Sequence, residues 1–145
     1  MKFEVSIFVE TTWKGPARRE GVAMWIVEYK RAGEPITREG KIHLESSTEN
    51  QATLMAITEA VRILTKPCSI QVFTQCDHIL NTVRNYWHTQ WQKNEWHNAK
   101  GKPVKNADQW REMLEALQKH SYSFHDGWHE YQSLMQGAIR KEMEK

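Results

Sequence analysis

A chain of 145 residues is the length of one ordinary domain, long enough to bury a core without disulfide or metal staples. With 39% hydrophobic residues, 26% charged residues and seven tryptophans, the composition excludes a disordered or low-complexity chain. The formal net charge of +2 is too small to declare a partner, so the distribution of charge is more informative than its sum.

One domain covering residues 1–145 is expected. The longest apolar stretch, Val22 to Val27, is far too short to cross a bilayer, and the chain enters a strand-like pattern with no leader-like segment before it. A cytoplasmic protein without a membrane partner is the expectation. Cys68 and Cys76 are the only cysteines, and in an unexported protein they are expected as free thiols without a function.

In chain order, Phe3, Val5, Ile7 and Val9 alternate with polar neighbours, which predicts a first strand with one buried face. Gly15 and Pro16 mark a turn, Val22 to Tyr29 a second and heavily buried strand, and Ala32-Gly33-Glu34-Pro35 a turn into a third strand over Thr37 to Leu44. Short turns imply that these three strands form an antiparallel meander. Ser46, Ser47 and Thr48 offer N-caps to an amphipathic helix carrying Leu54, Ile57, Val61 and Leu64, which ends before Pro67. Ser69 to Thr74 reads as a fourth strand, and its arrival through a helix predicts that it runs parallel to the first.

Helical patterns then run over Asp77–Tyr86, His88–Trp96 and Ala107–Lys119, followed by a short strand at Tyr122–His125 and a helix from about Glu130. Met113, Leu114 and Leu117, and Leu134, Ile139 and Met143, form stripes expected to face a core. The pattern predicts an α/β fold of three layers, with a five-stranded mixed sheet flanked by helices. Between Arg84 and Arg111 six Lys or Arg residues stand against two acids, so this stretch is the basic part of the chain.

Trp87, Trp91 and Trp96, with the run Gly101-Lys102-Pro103-Val104-Lys105-Asn106-Ala107-Asp108-Gln109-Trp110, resemble the type I ribonuclease H family of bacteria. Thr48-Glu49-Asn50-Gln51-Ala52 is similar to that family's Thr-Asn-Asn-Gln-Ala at the first helix, and Thr74 sits where the family ends its fourth strand. The resemblance implies a ribonuclease H-like fold with a basic helical protrusion that grips the DNA strand of an RNA/DNA hybrid. It implies contact with nucleic acid at Trp91, Lys93, Trp96, Lys100, Lys102, Lys105 and Asn106. It also implies that Asn50 and Gln51 read the minor groove, where 2′-hydroxyls distinguish RNA from DNA.

Each of these has a plainer reading. Tryptophans can pack a segment against the body, lysines can form a solvated face, and Asn50 and Gln51 can solvate a helix start. Trp87 and Trp110 are expected to pack; interleaved aromatic and cationic side chains at Trp91, Trp96 and the lysines suit a nucleic-acid strand.

Family-type hydrolysis uses two magnesium ions about 4 Å apart, held by four carboxylates. By the resemblance those positions fall on Glu10, Thr53, Gln75 and either Met135 or Gln136, so only Glu10 is acidic, and it is one methylene longer than the family's Asp. One acid of four cannot neutralise two divalent ions, so loss of cleavage is expected, with no cofactor or metal site. Magnesium or manganese enters only in an alternative, an active hybrid-specific endonuclease in which Glu49, Asp77 or Glu130 substitutes. A helical turn of about 5.4 Å separates Glu49 from Thr53, more than the spacing of the two ions, which speaks against that alternative. A third reading is a module that binds an acidic protein partner. His125 and His129 flank the loop where the family places a histidine that assists proton or product movement; their default reading is surface histidines, and a metal there lacks a third ligand.

Overall fold

The computed structural model describes residues 2–145. Its elements run β1 (Phe3–Thr11), β2 (Arg19–Arg31), β3 (Glu34–Ser47), α1 (Glu49–Arg62), β4 (Cys68–Phe73), α2 (Asp77–Arg84), α3 (Trp87–Lys93), α4 (Ala107–Leu117), β5 (Ser121–His125) and α5 (Gln132–Met143). One sheet has the order β3-β2-β1-β4-β5. β2 is antiparallel to β1 and β3, while β4 is parallel to β1 and β5 is parallel to β4, as the pattern of turns and crossover helices predicts. Among the described residues no helix is long and apolar enough to cross a membrane.

The sheet separates two cores. Val5, Ile7 and Val9 of β1 and Ala23, Trp25 and Val27 of β2 join α1, α2 and α4 in the larger one. Phe8 of β1 and Val22, Met24 and Ile26 of β2 meet Met135 and Ile139 of α5 in the smaller one. This explains the uninterrupted apolar run of β2: a strand covered on both faces has no polar side to alternate with. On β1 the same arithmetic matters more, because a period of two carries the α5-side face from Phe8 to Glu10. The charged end of β1 is thereby delivered beneath α5.

β2 begins three residues before Val22 and β3 runs on to Ser47, beyond their predicted limits. The extension is tied down by Trp13, whose indole donates to the Arg19 carbonyl at 2.9 Å, and by the Thr12 hydroxyl, which accepts from Val22 N–H at 2.9 Å. Thr48, the last of the three candidate caps, is the one used: its hydroxyl accepts from Gln51 N–H at 3.3 Å. The helix predicted to reach Trp96 stops at Lys93, because Glu95 and Trp96 adopt φ values of 53° and 64° that a right-handed helix cannot contain. The last helix starts at Gln132, two residues later than expected. On it Ile139 is buried and Met143 packs against the smaller core, but Leu134 does not join the stripe and is 60% exposed.

Gly40 on β3 lies opposite Trp25, whose indole crosses the glycine and donates to Glu59 at 3.1 Å. A Cβ at Gly40 would come within 2.5 Å of the Trp25 ring. Gly40→Ala is therefore expected to lower the unfolding free energy by about 1–3 kcal/mol, read as a reduced midpoint in urea denaturation.

Candidate functional site

Glu10 ends its strand with a side chain that is 2% exposed, and a buried carboxylate needs donors on both oxygens. Gln136 of α5 donates its amide to one oxygen at 2.9 Å. His129, in the segment before α5, meets the other through Nε2 at 2.8 Å. The backbone N–H of Tyr131 donates to His129 Nδ1 at 3.2 Å, which leaves the ring hydrogen on Nε2, aimed at Glu10. The imidazole also packs against Phe8, with ring centroids 4.8 Å apart. His129 is thus a buried partner of the first strand and not a surface histidine. Its neighbour Tyr131 donates its hydroxyl to Glu28, and that bond together with burial pushes the phenol up to about 12.

A cleft of about 390 Å³ opens beside Glu10, lined among others by Thr53, Thr74, Gln75, Gln132 and Gln136. Thr53 is buried beside the Cys76 thiol, and the Gln75 amide donates to the Gly127 carbonyl at 2.8 Å. Of the two residues that the last helix could offer, Met135 is fully buried in the smaller core; Gln136, the next residue round the helix, reaches Glu10. The two differ by one residue, about 100° of rotation on a helix of 3.6 residues per turn, and packing of Met135 on Phe8 and Met24 decides which one faces the cleft.

Two further acids, Glu49 and Asp77, line the same cleft, whereas Glu130 is exposed and outside it. Burial first, and the Asp77 charge after it, push the Glu49 carboxyl above its ordinary range, against opposing pulls from the Gly15 backbone and Lys14. Cys76 is pushed up to about 11, chiefly by burial, and its thiol donates to Asn50 at 3.2 Å; Cys68 is likewise a free thiol. Among the described residues no three His, Cys, Asp or Glu side chains cluster in a way that could hold a metal. A magnesium pair of the family kind does not fit these residues: the one acid at the strand end already accepts a hydrogen bond on each oxygen, and Thr53, Gln75 and Gln136 carry no charge to neutralise two divalent ions.

The other predicted residues divide between packing and exposure. Trp110 is fully buried, with Trp91 set edge-on to it at 5.9 Å and His88 stacked at 6.4 Å, so this aromatic cluster fixes α3 to α4. Burial pushes the His78 and His88 imidazoles in this cluster below their usual range. Trp91 and Trp96 are both half-buried against the larger core, and the Arg111 guanidinium lies 5.3 Å from the Trp96 ring. Trp87, expected to pack, is instead 41% exposed and lines a surface cavity of about 510 Å³ with Trp91, Lys93 and Asn94.

Lys93, Lys100, Lys102 and Lys105 are all exposed, and none is in an ion pair among the described residues. Their loop is held by Asn98, whose side-chain oxygen accepts from the backbone N–H groups of Lys100 and Lys102 at 2.9 and 3.0 Å. Asn106 sits left-handed at φ 60° as the residue before α4, with no side-chain cap bond. Asn50 and Gln51 are half-buried at the start of α1; Gln51 accepts from the Ser47 hydroxyl at 2.9 Å. His125 is half-buried and bonded to Ser123 at 2.8 Å, apart from Glu10.

The pairing of Glu10 with His129 and Gln136 is not legible in the sequence, since 119 and 126 residues separate them. Asn98 carries a legible signal, since an Asn-x-Lys-Gly-Lys pattern favours a side-chain-to-backbone turn; the 77% exposure of Trp128 has none.

The sequence matches the RNase H family over residues 4–126. It is 32% identical over 123 residues to the Ribonuclease H of Nitratidesulfovibrio vulgaris, covering 85% of this chain and 76% of that one. It is 39% identical over 80 residues to the Ribonuclease H of Caldicellulosiruptor saccharolyticus, which is 55% of each chain. Among solved structures, LC9-RNase H1, described as a type 1 RNase H with the type 2 active-site motif, superposes with a TM-score of 0.77 at 20% identity, over 97% of this chain and 74% of that one. The foamy viral protease-reverse transcriptase in complex with RNA/DNA hybrid gives a TM-score of 0.70 at 16% identity, over 96% of this chain and 19% of that one. These two solved structures bear on the fold. With its five-stranded mixed sheet and its match over most of its length, the chain belongs to the ribonuclease H family.

His129→Ala leaves one oxygen of a buried carboxylate without a donor and is expected to cost about 3 kcal/mol of stability, measured by urea denaturation. Glu49 yields a second expectation. Its folded pKa is raised, so the folded state holds the proton more tightly and loses this contribution as pH rises from the unfolded value of about 4.3 upward. Glu49→Gln should flatten the fall in stability over that window when urea midpoints are compared across pH.

Proposed function

We propose that this ribonuclease H-family protein binds RNA/DNA hybrid or a related nucleic-acid duplex and has lost family-type metal-dependent cleavage. The observation that carries the reading is the state of Glu10. Its two oxygens are taken up by His129 and Gln136, and the other positions where the resemblance calls for carboxylates hold Thr53, Gln75 and Gln136. A magnesium pair calls for several anionic oxygens, and these positions offer one carboxylate, already hydrogen-bonded on both oxygens, beside neutral hydroxyl and amide groups. No metal or other cofactor has a part in the proposed role.

Support for binding comes from the opposite trend on the basic stretch. Lys93, Lys100, Lys102 and Lys105 remain exposed, and Asn98 holds the loop that carries three of them, so that charge is presented without a large ordering cost. The exposed edge of Trp91 and the freely exposed Trp87 add flat apolar surface beside Lys93. The hybrid held by the structurally similar foamy viral reverse transcriptase is the reason to test that duplex first.

A second reading is an active endonuclease that combines Glu10 with Glu49 and Asp77, favoured by the fact that all three line one cleft. The two readings separate on one gel. Labelled RNA/DNA hybrid incubated with excess protein in magnesium, and separately in manganese, should stay intact. RNA cleavage that disappears in Glu10→Ala would establish the endonuclease. Binding is expected to be independent of divalent metal, and Lys102→Ala and Lys105→Ala should each reduce the salt slope of binding by about 1 while weakening all duplexes alike.

A further inference from the structure

The two ends of the sheet hold different chemistry. Glu10 lies near the close of β1 at the cleft, while Phe3 opens the same strand about 23 Å away. At that opposite end a groove of about 980 Å³ runs between the start of β1, the end of β2 and the segment joining α1 to β4. It has more than twice the volume of the Glu10 cleft, at about 390 Å³. Tyr29, Ile63 and Leu64, partly buried hydrophobics packed on the larger core, line it, and Phe3 beside them is 59% exposed. Lys66 Nζ stands 5.8 Å from the centre of the Phe3 ring.

Charge around this apolar floor is uneven. Lys2, Lys30, Arg38 and Lys66 line the groove, all four are exposed, and none is in an ion pair among the described residues. Against them stand Glu4 and Glu28, and Glu28 already accepts from the Tyr131 hydroxyl. A fifth cation, Lys119, donates to the carbonyl of Thr65, a residue of the same groove, at 3.4 Å. The groove is also remote from the basic stretch. Lys93 to Lys105 lead into the first residue of α4 and Lys119 follows its last, so the 11 residues of that helix, about 16 Å, lie between them.

Cations of this kind call for an acidic ligand, and the rest of the lining selects its class. A nucleic-acid backbone is evenly charged and has no aliphatic side chains, so it would leave Phe3 and Leu64 uncovered and meet repulsion at Glu4 and Glu28. An extended peptide alternates. Its carboxylates can face the lysines while the next side chains cover the apolar floor, and its backbone N–H groups suit the two glutamates.

We propose that this groove docks an acidic peptide segment bearing apolar side chains, supplied by a partner protein. Docking there leaves the Glu10 cleft and the basic stretch open, and it is independent of whether the protein binds nucleic acid.

The probe is a short fluorescein-labelled peptide in which aspartate alternates with leucine or phenylalanine, followed by anisotropy against the full chain. Poly-aspartate of the same length and an oligothymidylate serve as evenly charged comparisons. The alternating peptide should bind more tightly than either. In variants whose thermal melts confirm folding, Lys30→Glu/Lys66→Glu should weaken it roughly 5- to 30-fold and Phe3→Ala roughly fivefold or more. Lys102→Ala/Lys105→Ala should leave it unchanged. If poly-aspartate or oligothymidylate binds as tightly as the alternating peptide and loses as much in Lys30→Glu/Lys66→Glu, the groove takes any polyanion and peptide docking is overturned. The absence of saturable binding up to about 1 mM, or a loss confined to Lys102→Ala/Lys105→Ala, overturns it as well.

Discussion

A carboxylate buried at the end of a central strand sets the terms for the rest of this molecule. The Glu10 side chain is only 2% exposed, so its charge must be met largely by donors supplied from elsewhere in the fold, and they come from the segment that enters α5 and from α5 itself. The seating of α5 on the sheet meets that requirement. Met135 packs with Phe8 and Met24, which points Gln136 at the strand end and turns Leu134 outward. The loop before α5 is constrained by the same demand, because His129 has to arrive with Nδ1 facing the Tyr131 amide and Nε2 facing Glu10.

In the proposed reading, internal hydrogen bonds at Glu10 stand where the resemblance calls for metal-bound carboxylates. Four carboxylates repel one another strongly and are stable together only when cations occupy the space between them. Glu10 is met instead by the His129 imidazole and the Gln136 amide, donors that are covalently part of the chain, while Glu49 and Asp77 line the same cleft. The proposed loss of cleavage rests on these internal partners of Glu10 together with the neutral side chains of Thr53, Gln75 and Gln136.

The basic stretch obeys a different logic. Its aromatic residues are partly consumed in holding it to the body, with Trp110 as the buried centre and Trp91, His78 and His88 around it. The side chains of Lys93, Lys100, Lys102 and Lys105, by contrast, are exposed and in no ion pair among the described residues. A segment can present positive charge to a phosphate backbone only if something else keeps it in place, and here buried aromatic contacts and the Asn98 turn do so while the ammonium groups stay solvated.

Much of the fold could be read directly from residue order. Alternation in Phe3 to Val9, the doubly apolar run of Val22 to Val27 and the three- and four-residue spacing of α1 report local backbone geometry, and local geometry is written in local sequence. The acidity of Glu10 and the neutrality of Thr53 and Gln75 were equally visible, since chemical identity needs no coordinates. What could not be read was which side chains meet. Met135 and Gln136 are adjacent in sequence and differ only in the direction they leave the helix, a choice made by packing of α5 on the sheet. His129 looks like any surface histidine until the chain is folded and a carboxylate 119 residues away is found to need its proton. The residue types and their periods specified the layers of the fold, whereas the contents of the cleft depended on side-chain direction and long-range proximity, which arise only when the sheet and α5 come together.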